Sequence, residues 1–118
     1  MKIRIRKTDQ LFSLYIRRRA KWKCERCGKQ YQEGDRGLQC SHFWGRAKES
    51  TRFDTENCTA LCHGCHACFT ANPELHRAWQ LKRLGQKRYY ALMIRANTPK
   101  KKDDKMIEIY LNKLLETL

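Results

Sequence analysis

The sequence predicts a small α+β domain: a zinc-stapled β-hairpin followed by a helix, with further α-helices flanking it. Three observations lead there. Cys24 and Cys27, then Cys62 and Cys65, form two Cys-x2-Cys pairs, which together supply the four thiolates of a tetrahedral structural zinc site. The stretch between the pairs holds two segments of strand character separated by polar, turn-like residues 45–51. Beyond Asn72 the chain carries helix caps and apolar residues at helical spacing. The 118 residues suit one domain, organised as a basic arm and helix (1–23), a core (24–71) and C-terminal helices packing on that core (72–118). A core of this size is thin, and a metal staple compensates for it.

Residues 2–6 alternate basic and apolar side chains (Lys2, Ile3, Arg4, Ile5, Arg6), the pattern of a short edge strand or of an extended arm lying on phosphates. Thr8 or Asp9 caps a helix that runs to about Trp22, with Leu11, Leu14, Tyr15 and Trp22 roughly on one face. Arg17, Arg18, Arg19, Lys21 and Lys23 crowd its second half, where cations suit the helix dipole. Arg17, Arg18 and Arg19 are candidate nucleic-acid contacts; the plainer reading is a solvated basic face. Residues 24–29 form a zinc-knuckle sequence, in which Gly28 permits the tight turn that aims backbone amides at sulfur. Residues 30–37 read as a loop, 38–43 as a strand, 52–61 as a second strand with an irregular end, and 63–71 as a short helix carrying His66.

Asn72, Pro73 and Glu74 open a helix that runs to Leu84 and is closed by Gly85. Another follows over residues 86–96. A last helix, residues 103–118, sets Ile107, Tyr110, Leu111, Leu114, Leu115 and Leu118 at helical spacing. That face packs on the domain or supports self-association.

The formal charge of +14 speaks to partners rather than fold, because a strongly basic surface attracts polyanions. In the first quarter eleven Lys and Arg residues are opposed only by Asp9 and Glu25. DNA is the expected partner, branched or single-stranded forms included. RNA is the alternative, since Tyr31, Trp44 and Phe53 offer rings for unpaired bases to stack on. No run of 18 apolar residues is present and no apolar stretch follows Met1, so neither a membrane span nor a signal peptide is expected. The expected location is cytoplasmic, the host cytoplasm if the chain is encoded by a phage. Seven cysteines in such a chain argue for metal rather than disulfides.

The 34 residues between the two Cys-x2-Cys pairs exceed the loop of an ordinary zinc ribbon, as expected if a functional hairpin is inserted between the halves. A rival takes Cys58, Cys62, Cys65 and Cys68 as an iron–sulfur run. It leaves Cys24 and Cys27 unexplained. On the zinc reading Cys40, Cys58 and Cys68 are core thiols.

His42, Asn57 and His66 stand at the spacing His-x14-Asn-x8-His, on the first strand, the second strand and the helix. Hydrolysis of a phosphodiester needs a base for water, a group that orients that base, and a cation at the phosphate. A neutral His, an Asn and a metal-binding His supply those parts. This pattern, with Leu61, Cys62, Cys65 and His66, resembles the HNH (ββα-metal) nuclease superfamily in its four-Cys zinc variant. The resemblance covers residues 24–71. It implies His42 as general base, Asn57 as its positioning residue and His66 as a ligand of a catalytic Mg2+ or Mn2+.

A narrower likeness rests on Ser41-His42-Phe43, Arg46, Arg52-Phe53-Asp54-x2-Asn57, Cys62-x2-Cys65, Asn72 and Leu84-Gly85-Gln86. It resembles the phage NinG (Rap) recombination family and implies a phage recombination nuclease acting on branched DNA or D-loops. Two positions depart from the wider pattern: Ser41 stands where many members carry an acidic or histidine ligand, and Thr70 where some carry a further His. Asp54, Cys40 or the substrate phosphate is then needed to complete the shell around His66, with Asp54 the named candidate. Arg46 and Arg52 are candidate phosphate contacts. The alternative to an endonuclease is a zinc-stapled DNA-binding accessory protein without catalysis, and Ser41 keeps that reading open.

Overall fold

The computed structural model of the chain describes residues 3–118; Lys2, the first of the alternating basic residues, lies outside them. A two-stranded antiparallel hairpin sits at the centre, β1 (Leu38–His42) against β2 (Cys58–Cys62). Leu38 pairs with Cys62, Cys40 with Ala60 and His42 with Cys58. Alternation places Leu38, Cys40 and His42 on one face of β1, and Gln39 and Ser41 on the other. All five residues of β2 are buried. The first strand matches its expectation to within a residue. The second does not: residues 49–52 form a short helix, and pairing begins only at Cys58. Asp54 accounts for part of this, since its side chain accepts the Glu56 amide at 3.0 Å and turns the chain before the strand starts.

Before the hairpin, α1 (Lys7–Arg19) lays Phe12, Tyr15 and Ile16 into the main core with Leu38, Cys40, Phe53 and Leu61. Its N-cap is Arg6, two to three residues earlier than the sequence suggests. Asp9 sits in the first turn and its carboxylate accepts the Arg6 amide at 2.7 Å. The helix ends at Arg19, short of Trp22, because Lys21 and Trp22 take positive φ values of 55° and 59° and reverse the chain toward the knuckle. Residues 3–6 form neither strand nor free arm. Arg6 is paired with Glu49 at 2.8 Å and with Asp104 at 2.9 Å.

After α2 (Glu49–Arg52), the chain runs through β2 directly into α3 (His63–Ala71), with Cys62 as both last strand residue and N-cap. Pro73 opens α4 (Pro73–Leu84) at its first turn, where the missing N–H costs nothing. Gly85, at φ 81°, turns the chain into α5 (Gln86–Ala96), as expected. Leu84, Tyr89 and Leu92 of this corner form a second apolar cluster with Phe43 and Trp44. The final helix, α6 (Asp104–Glu116), packs along α1 through Leu111, Ile107, Leu114 and Leu115, so its apolar face serves the domain. Met106, Ile109 and Tyr110 remain exposed beside it.

One buried ion pair ties these parts together. Arg52 reaches Asp9 through Nε at 2.9 Å and Nη2 at 2.6 Å, and also donates to the Arg4 carbonyl at 2.8 Å. Burial raises the Asp9 pKa, but the hydrogen bonds from Arg52 and the Arg6 amide outweigh it and hold the carboxyl below its ordinary value. A depressed folded-state pKa stabilises the fold above the unfolded value of about 3.9, and that contribution is lost as pH falls through the folded one. Removing one partner leaves the other charge buried and alone. Asp9→Ala is therefore expected to destabilise the domain by about 3 kcal/mol or more, read as a lower urea midpoint at neutral pH, with the difference from the parent shrinking in acid.

Candidate functional site

Two adjoining centres are built on the hairpin. The first gathers Cys24, Cys27, Cys62 and Cys65, whose sulfurs all lie within 4.8 Å of one another. The knuckle turn places the first pair: the Gly28 amide closes on the Cys24 carbonyl at 2.9 Å, with Gly28 at φ 79°. The strand-to-helix junction places the second, because Cys62 caps α3 and Cys65 lies in its first turn. The knuckle is fastened to β2 through the Glu25 amide on the Ala60 carbonyl and the Glu25 carboxylate on the Ala60 amide, at 2.9 and 2.7 Å.

These four residues fit zinc. Backbone amides of Cys27 and Cys65 point at the Cys24 and Cys62 sulfurs at 3.5 and 3.3 Å, the arrangement that stabilises thiolate. The Cys27 and Cys62 sulfurs are 3.7 Å apart. Tetrahedral zinc with Zn–S near 2.3 Å requires sulfur–sulfur edges of about 3.8 Å. Burial raises Cys24, but the amides of Cys27, Cys62 and Arg26 bring it down to about 7. Burial and the three neighbouring thiols push Cys65 up to about 12. Four crowded sulfurs of this kind share their protons until a cation replaces them. The iron–sulfur run is not gathered: Cys58 lies with Cys40 and His42 instead, and Cys68 joins neither group among the described residues.

The second centre is a cleft of about 390 Å³ lined by Ser41, His42, Phe43, Trp44, His66 and His76, among others. His42 closes β1 and its Nε2 meets the Arg52 carbonyl at 2.9 Å. A carbonyl only accepts, so Nε2 carries the proton and Nδ1 keeps its lone pair. Burial, with Arg46 next, lowers the His42 pKa to about 4, and the ring is neutral at pH 7.

Asn57 is 1% exposed and lies in the turn before β2 rather than within the strand. Its amide donates to the carbonyls of Trp44 and Thr51 at 2.8 and 3.0 Å, and its oxygen accepts the Trp44 amide at 2.8 Å. Asn57 thereby fixes both ends of the 44–51 loop. The carbonyl that orients His42 belongs to the next residue, Arg52.

His66, on α3, has its Nδ1 2.6 Å from the Gln39 side-chain oxygen, which leaves Nε2 with the free lone pair. Burial lowers its pKa too, helped by His63 and Arg46. Ser41 is buried on the Gln39 side of β1 and lines the same cleft. Thr70 bonds back to the His66 carbonyl at 3.0 Å.

A family model described as bacteriophage lambda NinG protein matches residues 2–116. The chain belongs to the NinG family. No curated protein and no solved structure matches it. The match spans both centres of this NinG chain, together with the whole of α1 and of α6.

Several expected site residues of the NinG chain are placed elsewhere. Arg52 is a core ion-pair partner of Asp9, 7% exposed, and is not on the surface for phosphate. Asp54 turns to Arg95, at 2.7 and 3.3 Å, instead of joining His66. Arg19 holds the Thr55 and Cys58 carbonyls at 2.8 and 2.9 Å, and Arg17 lies over the Trp22 ring at 4.9 Å. Arg18 stays at the surface beside Glu33, and Arg46 is partly exposed, 3.6 Å from Asp9.

Two cleft residues escape a sequence reading. Gln39 is an unremarkable strand residue until β1 is set against α3. His76 reads as a surface or phosphate-contacting residue of its helix, yet its ring stacks on Phe69 at 4.4 Å and meets the Phe43 edge at 5.0 Å. Burial, with His66 and Arg83, lowers its pKa to about 4. Its i, i+3 relation to Trp79 is the one signal in the sequence that α4 turns this side inward.

Proposed function

We propose that this NinG protein is a metal-dependent DNA endonuclease of the HNH type, acting in phage recombination. The observation that carries the proposal is His42: a neutral imidazole, oriented by a backbone carbonyl, bordering the same cleft as His66. His42 Nδ1 takes the proton of the attacking water, a role worth about 10²–10⁴-fold in rate. The Arg52 carbonyl keeps the ring in the tautomer that leaves Nδ1 basic, and Asn57 keeps that carbonyl in place by pinning the loop before it.

His66 is the residue that would hold the catalytic divalent ion, through Nε2, with Gln39 as the outer partner that fixes its tautomer. Such an ion, Mg2+ or Mn2+, supplies charge at the scissile phosphate and the leaving oxygen. Asp54 does not complete the shell, so the remaining positions fall to the phosphate and water, as is usual for a hard cation bound at a nucleic-acid site. Exposed Lys21, Lys23, Arg26 and Lys29, with Arg18, supply basic surface for the polyanion.

Zinc-loaded protein is expected to nick supercoiled plasmid or cut branched DNA once Mg2+ or Mn2+ is added, and not in their absence. Salt-sensitive DNA binding without cleavage under any of these ions leaves the non-catalytic accessory protein, the reading that Ser41 favours.

A further inference from the structure

Three more donors converge outside the four-thiolate centre. Cys40 and His42 share one face of β1, and the register sets Cys58 opposite His42. The two sulfurs and one ring nitrogen of His42 lie within 4.8 Å of one another. Cys58 is fully buried, Cys40 is 9% exposed, and both are free thiols. We infer that Cys40, His42 and Cys58 form a second metal site, which takes zinc and withdraws His42 from base catalysis while it is filled.

The donor set supports this. Two cysteine sulfurs and an imidazole are a zinc set that leaves a fourth position open. Tetrahedral zinc needs donor–donor edges of about 3.5–3.8 Å, so the trio has at most about 1.3 Å to close. The hairpin ladder already holds Cys40, His42 and Cys58 in register. The His42 Nε2–H on the Arg52 carbonyl is the outer contact that metal-bound histidines carry, and it leaves the Nδ1 lone pair for the ion. That is the same lone pair the proposed base uses, so metal binding and proton abstraction exclude each other. Sulfur donors also separate this site from the one at His66: they select zinc, whereas phosphate and water oxygens suit Mg2+.

The site stands independently of the endonuclease reading; only its inhibitory effect rests on that reading. Cobalt reports the two questions separately. Apo chain is reconstituted with Co2+ in steps. The first equivalent is expected to bring the spectrum of a four-thiolate site. A second equivalent adds thiolate-to-cobalt charge transfer about half as intense, two thiolates against four. Cys40→Ser and Cys58→Ser each weaken the second increment and keep the first. Charge transfer that saturates at one equivalent in the unsubstituted chain overturns the proposal, however the variants behave. In the cleavage assay, Zn2+ added beyond one equivalent suppresses the Mg2+-dependent rate, and Cys40→Ser relieves the suppression. A second cobalt increment, with no DNA cleavage by chain holding a single equivalent of zinc, means that the site holds and the endonuclease reading fails; cleavage with a single increment means the reverse.

Discussion

Removing zinc from the four-cysteine centre is expected to unfold the domain. The sulfurs of Cys24, Cys27, Cys62 and Cys65 join two segments that are far apart in sequence, the knuckle after α1 and the start of α3. Without an ion the knuckle keeps individually weak fastenings, among them the Glu25–Ala60 pair of hydrogen bonds, the Arg26 guanidinium over the Phe69 ring and the isolated bridge between Lys23 and Gln30. Zinc bound by four thiolates contributes about 10 kcal/mol or more of apparent free energy at neutral pH, while a whole domain has about 5–15 kcal/mol of net stability. The one quantity is as large as the other, so the apo chain has little left to hold it. A strong chelator should therefore abolish cooperative thermal unfolding followed by circular dichroism, and stoichiometric zinc should restore it. Cys62→Ala should behave like chelation, because Cys62 is at once one of the four gathered thiols, the last pairing residue of β2 and the cap of α3. A chelated chain that melts at the same temperature as the zinc-loaded one would sink the idea of a structural staple.

What could be seen in the sequence follows from which forces are local. The turn at Gly28, the proline start of α4, the glycine corner at Gly85 and the cysteine spacing each depend on a residue's own chemistry and its near neighbours. All four stand where the sequence puts them. The second strand is harder, because the conformation of Arg52-Phe53-Asp54 is set by tertiary bonds. Arg52 is drawn to Asp9, 43 residues earlier, and Asp54 to Arg95, 41 residues later. A guanidinium beside a histidine motif reads as a phosphate contact when its buried carboxylate partner lies in another helix. The same holds for Gln39 and His76, whose roles exist only once α3 and α4 are folded against β1.

His42→Ala is expected to lower the metal-dependent cleavage rate about 10²–10⁴-fold, with DNA affinity unchanged. The separation of rate from binding comes from where His42 sits. Its ring is partly enclosed near Phe12, with ring centroids 6.0 Å apart, and it is neutral at pH 7, so it adds no charge to the phosphate-binding surface. The residues proposed to attract DNA are other side chains, Arg18, Lys21, Lys23, Arg26 and Lys29, and counterion release at those positions is untouched by the substitution. The loss should appear in the rate at saturating DNA, since a base acts only as water attacks. Alanine also removes packing, so the comparison requires that the variant keep its zinc and its cooperative melting transition. A folded, zinc-loaded His42→Ala chain that cleaves at the parent rate would remove His42 from the reaction. It would also turn attention to His66 and His76, which line the same cleft, as the remaining imidazoles there.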